Sequence, residues 1–167
     1  CHAANAAYHA FGFEHAYLNN PTLFLFGSVD SLLNAGNKLF EALNRLPFYI
    51  YINIGLESAD VATLALIDKP LEPSKIKEAF QKMLDINHHY LNIEVTANFL
   101  LGEHLPATHR HALVKLIRSN LNRLYSKGAI YLSPLNTSQN RLQLLRQFVE
   151  IKTQSRLPTY LYLIQRL

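Results

Sequence analysis

The sequence predicts an α/β domain built on about five mostly parallel strands, and two observations predict it. Five runs rich in Ile, Leu, Tyr, Phe and Val alternate with stretches whose apolar residues recur every three or four positions. Most of the strand-like runs lack clean polar alternation, as strands buried in a parallel sheet do. Strands that alternate with helices argue for a parallel sheet with right-handed crossovers. No repeat, low-complexity stretch or linker divides the 167 residues, and a hydrophobic content of 49% is enough for one core. A single domain over residues 1–167 is expected.

The elements follow in order. A helix over roughly 3–17 carries Tyr8, Phe11, Phe13 and Tyr17, either as core or as an appendage that meets a substrate. The first strand is 22–26. A helix over 37–45 starts after Gly36, and the second strand is 48–54. The helix over 74–86 follows Pro73 and repeats Ile76, Ala79, Phe80 and Met83 at helical spacing. The third strand is 91–100. A long helix over 106–125 carries a stripe of Leu113, Leu116, Ile117, Leu121 and Leu124. Gly128 reads as a helix C-cap leading into the fourth strand, 129–133. A helix over 138–153 places Leu142, Leu145, Phe148, Val149 and Ile151 on one side. The last strand, 159–164, reads as a sheet edge, or equally as a docking strand for missing sequence or another subunit.

Bulk properties exclude several classes. Net charge is +4, but the basic residues scatter over three predicted helices, so solvated helix faces are expected and nucleic-acid binding is not indicated. Cys1 is the one cysteine, which rules out an internal disulfide and points to a reducing, cytoplasmic compartment. No apolar run is long enough for a membrane span, and no signal-peptide pattern opens the chain. Because the chain begins with Cys1 and not methionine, it is expected to be part of something longer.

Function concentrates at the strand ends, because ligands of parallel sheets bind outside the carboxyl ends of the strands. Those ends read Gly27-Ser28-Val29-Asp30, Gly55-Leu56-Glu57-Ser58-Ala59-Asp60, Asn98 with Gly102-Glu103, and Ser133-Pro134-Leu135-Asn136. Small and polar residues with recurring carboxylates suit a ligand bearing hydroxyls and an ammonium group. They suit a bare phosphate badly, and no Gly-rich phosphate loop is present. Lys69 is placed to return over the same edge. Asp60 reads as the N-cap of a helix over 61–67, and Asp30 and Ser31 also read as caps. Glu103 serves either its own loop or a ligand, and Asn98 either a neighbouring loop or a ligand. Glu57 resists a purely structural explanation, because a buried carboxylate without a partner is costly. Eight histidines raise a metal site, but His109 and His111 are two apart and face different ways on a helix, so surface histidines are expected. Nucleophilic catalysis by Ser58 or Ser133 lacks an evident base, and no Gly-x-Ser-x-Gly elbow exists.

These motifs, in this order, resemble radical S-adenosylmethionine (radical SAM) enzymes over roughly residues 22–135. Ile54-Gly55-Leu56-Glu57-Ser58 followed by Lys69 is similar to their Gly-Leu-Glu-Ser segment. Val95 to Glu103 resembles the next strand and its turn, Tyr131-Leu132-Ser133-Pro134-Leu135 the strand after, and Leu25 to Leu32 an earlier strand end. The resemblance implies a partial, TIM-like β/α barrel holding S-adenosylmethionine against a 4Fe-4S cluster. It also implies reductive cleavage of that cofactor, followed by hydrogen abstraction from an unknown substrate. Glu57 would face the ribose or amino group and Lys69 the carboxylate. Gly27, Ser28 and Asp30 would line the amino end, Asn98 and Ser133 would lie near ribose or adenine, Ser58 belongs to the same segment, and Glu103 would shape its loop.

The family holds its cluster with a three-cysteine loop, and this chain has Cys1 alone, so no cluster is expected on it. Relatives also place a further strand and helix between the positions of Asp30 and Glu57. Two alternatives stand beside the first reading: a non-catalytic ligand-binding or scaffold module of the same fold, and an unrelated barrel hydrolase or lyase with Glu57 as general base.

Overall fold

Five strands run side by side in chain order, and every neighbouring pair is parallel: β1 (Thr22–Gly27), β2 (Tyr49–Glu57), β3 (Ile93–Leu101), β4 (Ile130–Pro134) and β5 (Thr159–Leu161). The structure is a computed structural model and describes residues 1–14, 21–69, 71–119, 127–135 and 140–162. Strands laid down strictly in sequence order follow the progression of a β/α barrel. A doubly wound sheet would reverse direction at a switch point. The fold is therefore an α/β domain with the core of a partial TIM-like barrel.

The helices are α1 (His2–Ala10), α2 (Val29–Asn34), α3 (Asn37–Asn44), α4 (Val61–Leu66), α5 (Pro73–His89), α6 (Ala107–Arg118) and α7 (Arg141–Gln154). Phe40, Leu43, Ile76, Phe80, Met83, Leu113, Ile117 and Ile151 pack from the helices onto the strands' buried residues, among them Ile50, Ile52, Ile54, Ile93, Val95, Phe99, Ile130 and Leu132. Side chains alternate between the faces of a strand, so the other face carries Phe24, Phe26, Tyr51, Asn53, Asn98 and Tyr131. That face is open, with Phe26 85% exposed.

Several boundaries differ from the sequence reading. β2 runs through Glu57, three residues beyond the expected end, because Tyr49, Tyr51, Asn53, Gly55 and Glu57 alternate strictly with buried Ile50, Ile52, Ile54 and Leu56. The expected lack of polar alternation is thus corrected for β2: one face is dry and the other is not. α2 is a helix that the sequence reading passed over. Ser28 starts it with a reciprocal capping box, Ser28 Oγ accepting from Ser31 N at 3.1 Å and Ser31 Oγ from Ser28 N at 2.8 Å. Tyr17, Leu121, Leu124, Tyr125, Asn136, Ser138 and Ile164 lie outside the described residues. Among the described residues, no helix is long and apolar enough to cross a membrane.

Candidate functional site

The site is built where β2 ends. Gly55 stands opposite Asn98, but Glu57 stands opposite Phe99, so β2 carries one residue more than β3 at this point. Glu57 itself takes a left-handed backbone, φ 62°, and Ser58 N–H donates to Leu56 O across it at 2.7 Å. An i→i+2 bond around a positive-φ residue is the strained form of the γ-turn. Asp60 then caps α4, its Oδ2 accepting from Thr63 N at 2.9 Å and from Thr63 Oγ1 at 2.8 Å. Burial raises the Asp60 carboxyl, but the bonds from Thr63, with smaller help from Thr108 and His109, together outweigh it and leave the group below the usual carboxylate range.

α4 ends by turning the chain back. Lys69 N–H donates to Leu64 O at 2.9 Å and Asp68 N–H to Ala65 O at 3.2 Å, with Asp68 left-handed at φ 53°. This is a Schellman closure, with an aspartate in the place usually taken by glycine. It delivers Lys69 Nζ to Glu57 Oε1 at 2.9 Å and to Gly55 O at 3.4 Å. Gly55 leaves room for this carboxylate: a Cβ there would sit 2.6 Å from Glu57 Oε1, so a larger residue would displace it.

Glu57, Gly55, Asn53 and Tyr51 from β2 join Gly27, Phe24 and Phe26 from β1, Asn98 from β3, and Tyr131 from β4 around one cavity of about 420 Å³. That size lies within the range of small-ligand pockets, roughly 300–1,000 Å³. Asn98 Oδ1 accepts from Ser133 Oγ at 2.7 Å, and the Tyr51 and Tyr131 hydroxyls meet at 2.6 Å. Burial first, then the bond to Tyr131, pushes the Tyr51 phenol upward, so it stays protonated. The cavity thus has a polar rim at the strand ends and an aromatic floor below.

The structure brings Gly27, Glu57 and Asn98 to this cavity, with Lys69 and Ser133 bonded to its lining. The other sequence-selected residues lie elsewhere. Ser28 is spent as a cap. Asp30 is exposed in the first turn of α2, 3.5 Å from Lys75 Nζ. Glu103 sits in an exposed turn against Gln143 of α7, whose amide donates to Oε2 at 2.8 Å when its nitrogen faces the carboxylate. Ser58 is 0% exposed and points away, its Oγ 2.7 Å from His109 Nδ1 and accepting from Asp60 N at 3.0 Å.

His109 corrects the expectation of a surface histidine. It is 3% exposed, and its Nε2 lies 2.9 Å from Leu100 O. A carbonyl accepts only, so Nε2 carries the proton and Nδ1 accepts from Ser58. Burial holds the imidazole below its ordinary value, outweighing the Leu100 bond and the nearby Asp60 carboxylate. Ser58 therefore has the basic partner that the sequence did not reveal, but its burial keeps substrates away. Among the described residues, no group of three or more His, Cys, Asp or Glu side chains gathers as metal ligands.

The sequence reading missed Phe24, Phe26, Tyr51, Asn53 and Tyr131. The signal for Tyr51 and Asn53 was present: stepping back by two from Glu57 reaches both.

No protein-family model matches the chain, and no curated protein matches it in sequence. Among solved structures it is similar to a radical SAM methyltransferase from Sphaerobacter thermophilus, with 16% identity and a TM-score of 0.49. The match covers 75% of this chain and 37% of that one. With a likeness of that strength, the strand order remains the basis for the fold.

Proposed function

We propose that the rim at the carboxyl ends of β1 to β4 binds S-adenosylmethionine, in the manner of the radical SAM domain that the strand-end motifs resemble. One observation carries this reading: Gly27, Glu57 and Asn98, from three separate motifs, line one cavity. The donor set fits such a ligand. A carboxylate and an amide offer partners to ribose hydroxyls and an ammonium group. Among the described rim residues, the Lys69 ammonium is already engaged by Glu57, so a phosphate is poorly matched.

A 4Fe-4S cluster does not fit the residues of this chain. Such clusters are held by several thiolates, and the sequence has Cys1 alone, exposed ahead of α1. The same observation favours a second reading, a module that binds the ligand without radical chemistry. Any reductive cleavage would draw its thiolates from outside these residues.

Calorimetric titration of the purified chain with S-adenosylmethionine tests the binding claim. Saturable heat is expected, weakened about tenfold or more by Glu57→Gln, since a hydrogen bond to a charged group contributes about 1.5–3 kcal/mol. An absence of heat at millimolar ligand, or equal affinity in the variant, would sink the proposal. The cytoplasmic location and an edge-strand contact through residues 159–164 belong to the same proposal. Size measurement of the chain in solution checks the contact.

A further inference from the structure

The turn that presents Glu57 is held from behind by a histidine that does not line the cavity. We infer that His109 is a positioning residue: through Ser58 it locks the strained turn that aims the Glu57 carboxylate into the cavity. This rests on reading the rim as a binding site.

Glu57 is a β-strand residue in a left-handed conformation, φ 62°, which an L-residue other than glycine, asparagine or aspartate seldom adopts. Such strain persists where the surroundings over-determine it, and it clusters at functional sites. Three contacts over-determine it here. Lys69 holds the Glu57 side chain at 2.9 Å. Ser58 N–H closes the turn on Leu56 O at 2.7 Å. The Ser58 hydroxyl donates to His109 Nδ1 at 2.7 Å and accepts from Asp60 N at 3.0 Å.

His109 is anchored in turn. Its Nε2–H donates to Leu100 O near the end of β3, and α6 carries it to that point. One imidazole thus ties the end of β2 to the end of β3, the two strands that supply Glu57 and Asn98. Both Ser58 and His109 are buried, so neither bond competes with water. The pair is too deep for catalysis and is placed to hold geometry.

Two side chains separate the bonds. Asparagine at 109 reproduces an acceptor near Nδ1 and loses the Nε2 donor, whereas glutamine reaches with a donor near Nε2 and loses the acceptor for Ser58. With S-adenosylmethionine as the probe, Ser58→Ala and His109→Gln are each expected to weaken binding about tenfold, and His109→Asn to stay within about twofold of the unaltered protein. The double variant Ser58→Ala with His109→Gln should bind no more weakly than Ser58→Ala alone, because the bond that His109→Gln removes is already absent there.

The HN–Hα coupling and NOE at Glu57, measured without ligand in the unaltered protein and in Ser58→Ala, report whether φ leaves the left-handed region. Ligand binding that survives both Ser58→Ala and His109→Gln unchanged overturns the inference, as does a Glu57 that stays left-handed in Ser58→Ala. If the unaltered protein binds no S-adenosylmethionine while Glu57 relaxes in Ser58→Ala, the function assigned to the rim fails and the positioning role stands.

Discussion

Acidification is expected to destabilise this protein through His109, with a size that follows from the geometry. The ring is buried and neutral, donating to Leu100 O at 2.9 Å and accepting from Ser58 at 2.7 Å. Its protonated form would deprive the Ser58 hydroxyl of its acceptor and carry a charge out of water. Burial therefore lowers its folded-state value, and the Asp60 carboxylate only partly offsets this. An unfolded histidine titrates near 6.5. As pH falls through that value the unfolded state takes up a proton that the folded state refuses, so stability present above it is lost below it. If the folded ring stays neutral, the loss between about pH 7.5 and about pH 5.5 is about 1.4 kcal/mol. Urea unfolding at the two pH values, on the unaltered protein and on His109→Asn, isolates the effect from the other histidines. The variant should lose less over the interval, by at most about 1.4 kcal/mol. An equal loss in both proteins would refute the reasoning, since it would mean that His109 already binds a proton when folded.

Three further outcomes follow from other residues. Asn87, buried on α5, donates from Nδ2 to Val95 O at 2.8 Å and accepts from Val95 N at 2.7 Å, where β3 has no β4 partner because that pairing starts at Ala97. Asn87→Ala should cost about 2–4 kcal/mol, seen as a lower urea midpoint at an unchanged slope; a cost below about 1 kcal/mol would show that those backbone groups find other partners. Gly128 has φ +100°, and a Cβ there would sit 2.6 Å from Asn87 Nδ2. Gly128→Ala should therefore destabilise by about 1 kcal/mol or more, and by less in an Asn87→Ala background, which the same urea series measures. Ser28→Ala removes one half of the capping box of α2 and should lower stability by about 1 kcal/mol, with a matching drop in melting temperature.

Much of the scaffold was legible because local patterns decide it. The five strand-like runs became the five strands, and Asp60 caps α4 as its position before Val61 implies. Helix 74–86 grew only at its ends, to Pro73–His89. Lys69 was legible as a residue that returns over the strand ends, although the Schellman closure that returns it depends on a left-handed Asp68, a conformation that aspartate tolerates but does not require. What stayed hidden is long-range. Ser58 and His109 are 51 positions apart, and only the parallel packing of β2 beside β3 brings α6 behind the turn. His109 looks like a surface histidine because its neighbours His104, Arg110 and His111 are polar; tertiary packing makes it a buried linker. The aromatic floor went unread for a different reason. Tyr and Phe satisfy a strand pattern on either face, so Phe24 and Tyr131, which no Glu57-like residue on their own strand marks, declare their side only when the register is known.

The rim and the core place opposing demands on β2, and the extra residue near its end reconciles them. Up to Gly55 the alternation is strict, and a slip of one residue would drive Ile50, Ile52 and Ile54 into the cavity and Tyr51 and Asn53 into the core. An unbroken ladder would carry Glu57 opposite Leu100. The register shift leaves it opposite Phe99, one step of about 3.3 Å nearer the residue that faces Gly55, which is Asn98. Bulges re-aim side chains beside sites in this way. The left-handed turn completes the displacement, and its backbone cost of about 1–2 kcal/mol falls on the residue whose carboxylate lines the cavity. The buried Ser58, His109 and Leu100 chain, the Asp60 cap and the Lys69 ion pair then converge on that residue from three directions. Of these, the Lys69 ion pair acts on the Glu57 side chain itself, whereas the Ser58 and His109 pair and the Asp60 cap fix the backbone that follows it.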